Sequence, residues 1–392
     1  MKSVTLGELA TFTNGGTPAR NTPAFFDGDI PWITGADIDL QGRTSARSFI
    51  TSEAVRKSAT NLVPAGTVLL VTRTSIGKVG VSREPLCFSQ DITAIQPDKA
   101  RLDRDYLVHF LRANEHHFAS RARGATIKGV TREAVTSLEV PLPPVGEQRR
   151  IGAILDEADA LRAKRREALA LLDDLTESIF IQAVTSPAAD AWPVVTVADV
   201  AGQEKGSIRT GPFGSQLLHS EFVEEGVAVL GIDNAVNNEF RWADRRFITT
   251  EKYRSLRRYT VHPGDVLVTI MGTCGRCAVV PEDVPLAINT KHLCCISVDR
   301  ARCLPEFLHA SFLWQPVSRS ALARATKGAI MDGLNMGLIK AMPLRLPPMD
   351  VQVELVQKIK SVGENRAVHT RSVTELNQLF ISLQARAFAG RL

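Results

Sequence analysis

The chain has 392 residues, 44% hydrophobic and 23% charged, the balance of a soluble globular protein with room for two or three cored domains. No apolar run approaches the ~20 residues that span a bilayer, and the opening "MKSVTLGELATF" has no signal-peptide pattern, so the expected compartment is the cytoplasm, with no membrane partner. A net charge of +5 and a pI of about 8.9 permit a polyanionic partner without demanding one, and six cysteines in such a compartment are not expected to form a disulfide framework.

In chain order, residues 1–146 read as a first globular domain of short apolar runs bounded by turn residues. Strands are predicted over 67–72, 79–82 and 92–95, and a helix over 104–119. "GGTP" near the start is read as a tight turn, its glycines supplying positive φ. "VPLPPVGEQ" (140–148) then ends a strand and opens a helix with no internal proline, expected over 147–184 within a segment 147–186. Its stripe of Ile151, Leu155, Ala158, Leu169, Leu172 and Ile179 steps by fours and threes once Arg162, Arg165 and Thr176 are counted. A second domain, 187–350, repeats the pattern with strands over 266–270, 277–280 and 293–298 and a helix over 305–313. "LRLPPMDVQ" (344–352) opens the closing helix, 351–392, whose stripe is Leu355, Ile359, Val362, Val373, Leu376 and Leu383, with Arg366, His369 and Phe380 between.

The chain is written twice. Pro143-Pro144 and Gln148 match Pro347-Pro348 and Gln352 at an offset of 204; Gly124 and Gly129 match Gly328 and Gly333 at the same offset. "GTVLLVTRTSIGK" (66–78) matches "GDVLVTIMGTCGR" (264–276) at 198, and "VTLGELA" (4–10) matches "VTVADVA" (195–201) at 191. The expected fold is therefore α+β: two tandem mixed domains separated by two long helices. Those helices can each pack on their own domain or pair as an antiparallel coiled coil. The favoured reading is pairing, with one domain at each end and pseudo-two-fold symmetry. At ~1.5 Å per residue, about 38 residues give a rod of roughly 57 Å.

No catalytic constellation stands out. "TSIGKVG" lacks the leading glycine and the Ser/Thr of a P-loop, and there is no G-x-G-x-x-G, H-E-x-x-H or G-x-S-x-G. Both Pro-Pro pairs follow Leu, unlike the Asp/Asn-Pro-Pro-aromatic element of adenine methyltransferases. Cys274 and Cys277 form a C-x-x-C with His292, Cys294, Cys295 and Cys303 downstream; zinc is one reading. Core packing is favoured, because the first copy has Ile76 and Val79 at the matching places and Cys294 and Cys295 should face opposite ways on a strand. No metal is expected.

With this organisation in view, the sequence resembles a specificity subunit of type I restriction–modification enzymes over essentially its whole length. The resemblance rests on the doubled domain-and-helix arrangement, on "NGGTPARNTPAFFDGDIPWITGADI" (14–38), on "VPLPPVGEQRRIGAIL" (140–155) and on "LQARAFAGRL" (383–392). The second copy departs with "QEKGSIRTGPFGSQL" (203–217), and "MDVQVELV" lacks a Glu before Gln352. The resemblance implies a non-catalytic subunit. Each domain would read one half of a divided double-stranded DNA target, and the helices would set the gap and dock two methyltransferase subunits carrying S-adenosylmethionine. A motor-nuclease subunit using ATP and Mg would join for restriction.

Base and phosphate recognition calls for Arg, Lys, Asn, Gln, Ser and Thr on loops. The candidates in domain 1 are Thr17 and Arg20; Arg73, Thr74, Ser75 and Lys78; Gln90; and Arg121, Arg123 and Lys128. In domain 2 they are Arg209 and Ser215; Thr273 and Arg276; Asn289 and Lys291; and Arg324 and Lys327. The same loops are polar in both copies. Other readings are the specificity partner of a type IIB-like system, a coiled-coil scaffold binding only proteins, and a nuclease built on the cysteine cluster.

Overall fold

The computed structural model describes residues 2–39, 41–124, 128–242, 245–327 and 333–392. The chain divides into two compact units, Met1–Arg166 with Arg371–Leu392, and Glu167–Thr370. Both contain the same pair of four-stranded sheets. In unit 1 an antiparallel sheet runs in the order Ala10–Asn14, Ile92–Pro97, Val68–Val71, Val79–Val81. The other sheet runs Ser48–Ile50, Ile30–Ile33, Leu86–Phe88, Leu62–Val63, with Trp32 facing Cys87 in a parallel pair. Unit 2 repeats this. Its antiparallel sheet is Ile208–Thr210, Leu293–Ile296, Val266–Thr269, Cys277–Val279, and its mixed sheet is Phe247–Ile248, Val227–Leu230, Ala287–Asn289, Thr260–Val261. A two-stranded pair joins the ends of each domain: Ser3–Thr5 with Glu139–Pro141, and Val194–Thr196 with Pro343–Arg345.

The cores follow from alternation along the central strands. Every residue of Val68–Val71 and of Val266–Thr269 is buried, as on a strand covered on both faces. Val68 and Leu70 point into a cluster with Tyr106, Leu107 and Phe110, while Leu69 and Val71 join Ile33 and Phe88. Val266 and Val268 likewise pack with Phe307 and Phe312, and Leu267 with Leu230 and Ala287. One face of each antiparallel sheet thus carries helices and the other carries the mixed sheet.

The helix expected over 104–119 is two helices, Arg104–Ala113 and Glu115–Arg121. Asn114 separates them, its side-chain amide donating to the Phe110 carbonyl at 2.8 Å, the local bonding by which Asn competes with helix continuation. The long helices are Val145–Val184 and Met349–Phe388, forty residues each, beginning directly after the Pro-Pro pairs.

Within unit 1 the two helices run antiparallel: Arg150 donates to the Leu392 carbonyl at 2.9 Å, and Arg162 donates to Asn377 at 2.8 Å while its guanidinium lies 4.2 Å from the Phe380 ring centre. Ile151, Leu155, Ala158 and Phe380 share one core with Tyr106, and Leu383 packs on its edge. Within unit 2, Arg366 donates to Asp173 at 2.6 Å, and Phe180 and Leu355 share a core with Phe307, flanked by Ile179 and Ile359. Leu169, Leu172, Val362, Val373 and Leu376 are half-buried. The two arrangements weighed from sequence therefore coexist. The start of each domain's own helix and the end of the other helix seal the same core, and pairing beyond the cores is more polar.

The Pro-Pro joint has a physical basis in Gln148 and Gln352, both fully buried. The Gln148 amide accepts from the Asp103 N–H at 2.8 Å and donates to the carbonyls of Arg101 and Pro143 at 2.9 Å each. Gln352 accepts from the Leu304 N–H at 3.0 Å and donates to Arg302 at 3.0 Å and Pro347 at 2.9 Å. Each glutamine ties the loop before the domain's helix to the turn that starts its long helix, using donor and acceptor together, which an acid or an apolar residue cannot do.

Candidate nucleic-acid interface

In domain 1 four loops far apart in sequence bond to one another at one end of the sheets. Thr17 donates to Gln90 at 2.7 Å. The Thr72 and Arg73 amides donate to the Asp91 carbonyl, and the Val130 amide to the Thr72 carbonyl. Arg123 and Gly129 exchange both backbone hydrogen bonds at 2.9 Å, and Gly129 also bridges to Arg73. Arg73, Thr74, Gln90, Arg123 and Lys128 are exposed on this surface, and Ser75 is half-buried. Arg20 is exposed on the segment that follows the opening turn. Arg121 bonds to His117 at 3.1 Å, and Lys78 turns back to the Ile38 carbonyl at 3.3 Å.

The opening turn is structural, for a reason other than positive φ. Gly15 and Gly16 are not among the positive-φ residues. A Cβ on Gly15 would lie 2.1 Å from the Ser89 carbonyl oxygen, and one on Gly211, its counterpart, 2.0 Å from that of Asn289. Close approach of backbone demands glycine there. Positive φ belongs instead to the next loop, at Thr74 (62°) and Gly77 (91°) in domain 1 and at Gly272 (73°) and Gly275 (83°) in domain 2. Thr74 is a β-branched residue held where L side chains are disfavoured.

Domain 2 assembles the same loops. The Ile270 amide donates to the His292 carbonyl and the Leu334 amide to the Ile270 carbonyl, both at 2.9 Å, and Met271 bridges to Gly333. Thr273 and Arg276 are exposed, Lys291 is half-buried, Ser215 is exposed in a short turn, and Arg324 is exposed on Pro316–Lys327. The Lys327 side chain and Gly328 lie outside the described residues.

Two candidates are corrected. Asn289 is fully buried at the end of Ala287–Asn289, its amide donating to the Leu293 carbonyl at 2.9 Å. It occupies the place of Phe88, a core position, and is not available to DNA. The Arg209 side chain is 10% exposed. It donates to Asp265 at 2.6 Å, to Ser297 at 2.9 Å and to the Thr260 carbonyl, and the carboxylate also receives the Ser297 hydroxyl and the His262 amide. Arg209 is a strut between strands, since a buried guanidinium needs its carboxylate.

The cysteines divide as strand geometry requires. Cys277, Cys294 and Cys303 join one apolar cluster and Cys295 another. Burial pushes the Cys294 and Cys303 thiols up to about 12, so they are held as neutral core groups. Among the described residues no group of three or more His, Cys, Asp or Glu is arranged to hold a metal.

Sequence reasoning passed over Arg246 and Asp233. Arg246 donates to Asp233, and its charge, after burial and Lys291, helps hold His292 below the ordinary histidine range. The signal was present in "EFRWADRR" (239–246), which alternates aromatics and arginines.

Residues 1–171 match the family model described as the type I restriction modification DNA specificity domain. Over 172 residues the chain is 35% identical to the type I restriction enzyme EcoR124I/EcoR124II specificity subunit of Escherichia coli, a match spanning 42% of each protein. Over 343 residues it is 21% identical to the EcoBI specificity subunit of Escherichia coli, covering 79% of this chain and 70% of that one. The crystal structure of a type I restriction–modification system S subunit from M. genitalium superposes with a TM-score of 0.63 at 13% identity, covering 99% of this chain and 96% of the other, and so shares the fold. The first 171 residues of the chain thus resemble the type I restriction modification DNA specificity domain, and the chain as a whole shares the fold of a type I S subunit.

Proposed function

We propose that the chain is the sequence-reading subunit of a type I restriction–modification complex. Each globular domain reads one half of a divided double-stranded DNA target, and the paired helices fix the number of unread base pairs between the halves. The observation that carries this reading is the doubled loop cluster. In each unit the same loops gather over the same pair of sheets, presenting exposed Arg73, Thr74, Arg123 and Lys128 in one and exposed Ser215, Thr273 and Arg276 in the other. Phosphate contacts from such groups hold a protein in register, and base-edge contacts then discriminate.

The chemistry belongs to partners. Two methyltransferase subunits using S-adenosylmethionine flip and methylate adenine, and motor-nuclease subunits using ATP and Mg cut. Two copies of the methyltransferase fit a chain written twice: Leu175 and Leu379, at matching places on the two helices, are 45% and 50% exposed. Among the described residues no helix is long and apolar enough to cross a membrane.

Reversing the charges of Arg73, Arg123 and Lys128 together tests the reading. Binding of the complex to its target should be lost, and the residual binding should depend less steeply on salt. Unchanged affinity and slope would remove this surface from DNA recognition.

A further inference from the structure

The loop that links the edge strand of the mixed sheet to its inner neighbour, Ile30–Ile33 to Ser48–Ile50 and Val227–Leu230 to Phe247–Ile248, differs between the domains. In domain 1 it covers 38–47; in domain 2 it covers 235–246, is longer, and carries Phe240, Arg241, Trp242, Arg245 and Arg246. Domain 1 has no aromatic residue in this place. Aligned from the strand that follows, Arg245 matches Arg47 of domain 1, which is bonded to Asp37, whereas Phe240 and Trp242 have no aromatic counterpart.

The loop is tethered at both ends. Asn234, 4% exposed, donates to the Arg241 carbonyl at 2.8 Å, and the Arg241 amide donates to the Asn234 carbonyl at 3.2 Å. At its far end Arg246 is fixed to Asp233, and the Val229 amide donates to the Arg246 carbonyl at 2.8 Å. Between these ties Trp242 is 37% exposed, too much for an indole with a place in the core. Phe240 meets it edge-on with ring centres 5.3 Å apart and is itself packed on the core. The Arg245 guanidinium lies 5.3 Å from the Trp242 ring centre, and the two line a hollow of about 250 Å³ with Phe247, Asp283 and Pro285.

We propose that Trp242 and Arg245 form an additional DNA-backbone clamp, specific to domain 2, that grips the duplex beside the half-site this domain reads. The inference rests on the reading of the chain as a DNA-specificity subunit. Three features favour nucleic acid. An indole face supported by a guanidinium suits the sugar and the phosphate of one nucleotide, through stacking and charge together. The loop borders the candidate interface: its Arg246 carbonyl accepts from the Val229 amide at 2.8 Å, and the adjoining Leu230 carbonyl accepts from the Thr290 amide at 2.9 Å, next to Lys291 in sequence. The local charge also divides by role: Arg246 is held by Asp233 and Arg241 bonds to Glu239 at 3.1 Å on the surface, which leaves Arg245 as the phosphate contact. Residues 243 and 244 lie outside the described residues, and the proposal uses neither.

The experiment uses the assembled complex with its methyltransferase subunits and a duplex carrying the target identified by methyladenine mapping. Trp242→Ala and Arg245→Ala are each compared with wild type. Arg245→Ala should weaken binding about tenfold and reduce the slope of log K against log salt by about 1. Trp242→Ala should weaken binding by a similar factor with little change in slope. Arg245→Lys should recover the slope and Trp242→Phe most of the affinity, which a folding defect would not permit. The methylated sequence should stay the same in all four. Wild-type affinity and slope in both alanine variants would overturn the clamp and leave the proposed function standing. An altered methylated sequence would overturn it too, by showing that the loop reads bases. A wild-type complex with no preference for any sequence would remove the function and the clamp together.

Discussion

The two domains share a frame and differ in what the frame holds. At the joint they are the same: Gln148 and Gln352 make matching sets of three hydrogen bonds to matching backbone groups. Inside the antiparallel sheets they diverge. The places of Arg209, Asp265, Cys295 and Ser297 in domain 2 are held in domain 1 by Thr13, Thr67, Ala94 and Gln96, as the strand registers align them. A buried ionic network stands where the other domain has uncharged side chains. The two copies keep the same residue at the joint, where a buried amide with three partners has few substitutes. The interiors differ between the copies, and the buried ions of domain 2 each keep a partner.

This contrast can be broken in order of expected effect. Arg209→Ala should destabilise domain 2 by about 3–5 kcal/mol in denaturant unfolding, because it leaves the Asp265 carboxylate buried without its cation. Thr13→Ala, at the same place in domain 1, should cost under ~1 kcal/mol; equal losses would show that the network is no strut. Gln148→Ala and Gln352→Ala should each cost about 3 kcal/mol, since each strands a buried N–H and two carbonyls. The prediction there is equality, and a large difference would mean that the joints are not equivalent.

A smaller effect concerns pH. His309 is half-buried, its Nε2 shared between the carbonyls of Asn238 at 3.0 Å and Cys277 at 3.1 Å, and desolvation holds its pKa below the ordinary 6.5. The folded domain then binds fewer protons than the unfolded chain. Its stability is full above the usual histidine range and falls as pH drops through about 6.5. Denaturant midpoints for domain 2 should fall between about pH 7 and pH 5.5, and His309→Gln should flatten that dependence. Smallest is Thr74→Gly, which gives domain 1 the residue that domain 2 has at this turn. It should stabilise by about 0.5–1 kcal/mol through relief of the positive φ, and a loss of stability would show that the threonine side chain matters more than the turn.

The doubled plan was legible in the sequence because offsets of matching residues survive divergence and because a stripe at steps of three and four can only be a helix face. The strands of the mixed sheet were not. Ser48–Ile50 and Leu62–Val63 are three and two residues long, too short for an alternation to register. Asn289 and Arg209 read as surface groups because polarity alone cannot tell a loop from the last residue of a buried strand or from a guanidinium with a buried partner. Gathering of the candidate loops could not be foreseen from spacing either. It is set by backbone bonds such as those of Thr72 and Arg73 to Asp91, between segments that sequence leaves separate.

The central claim is that one chain reads two half-sites, and mapping N6-methyladenine across DNA from cells with and without the chain tests it most directly. The account predicts a methylated motif present only with the chain, made of two specified parts separated by a fixed unspecified gap, and absent when the exposed charges of domain 1 are reversed. A single continuous motif, or a methylation pattern indifferent to the chain, would contradict it.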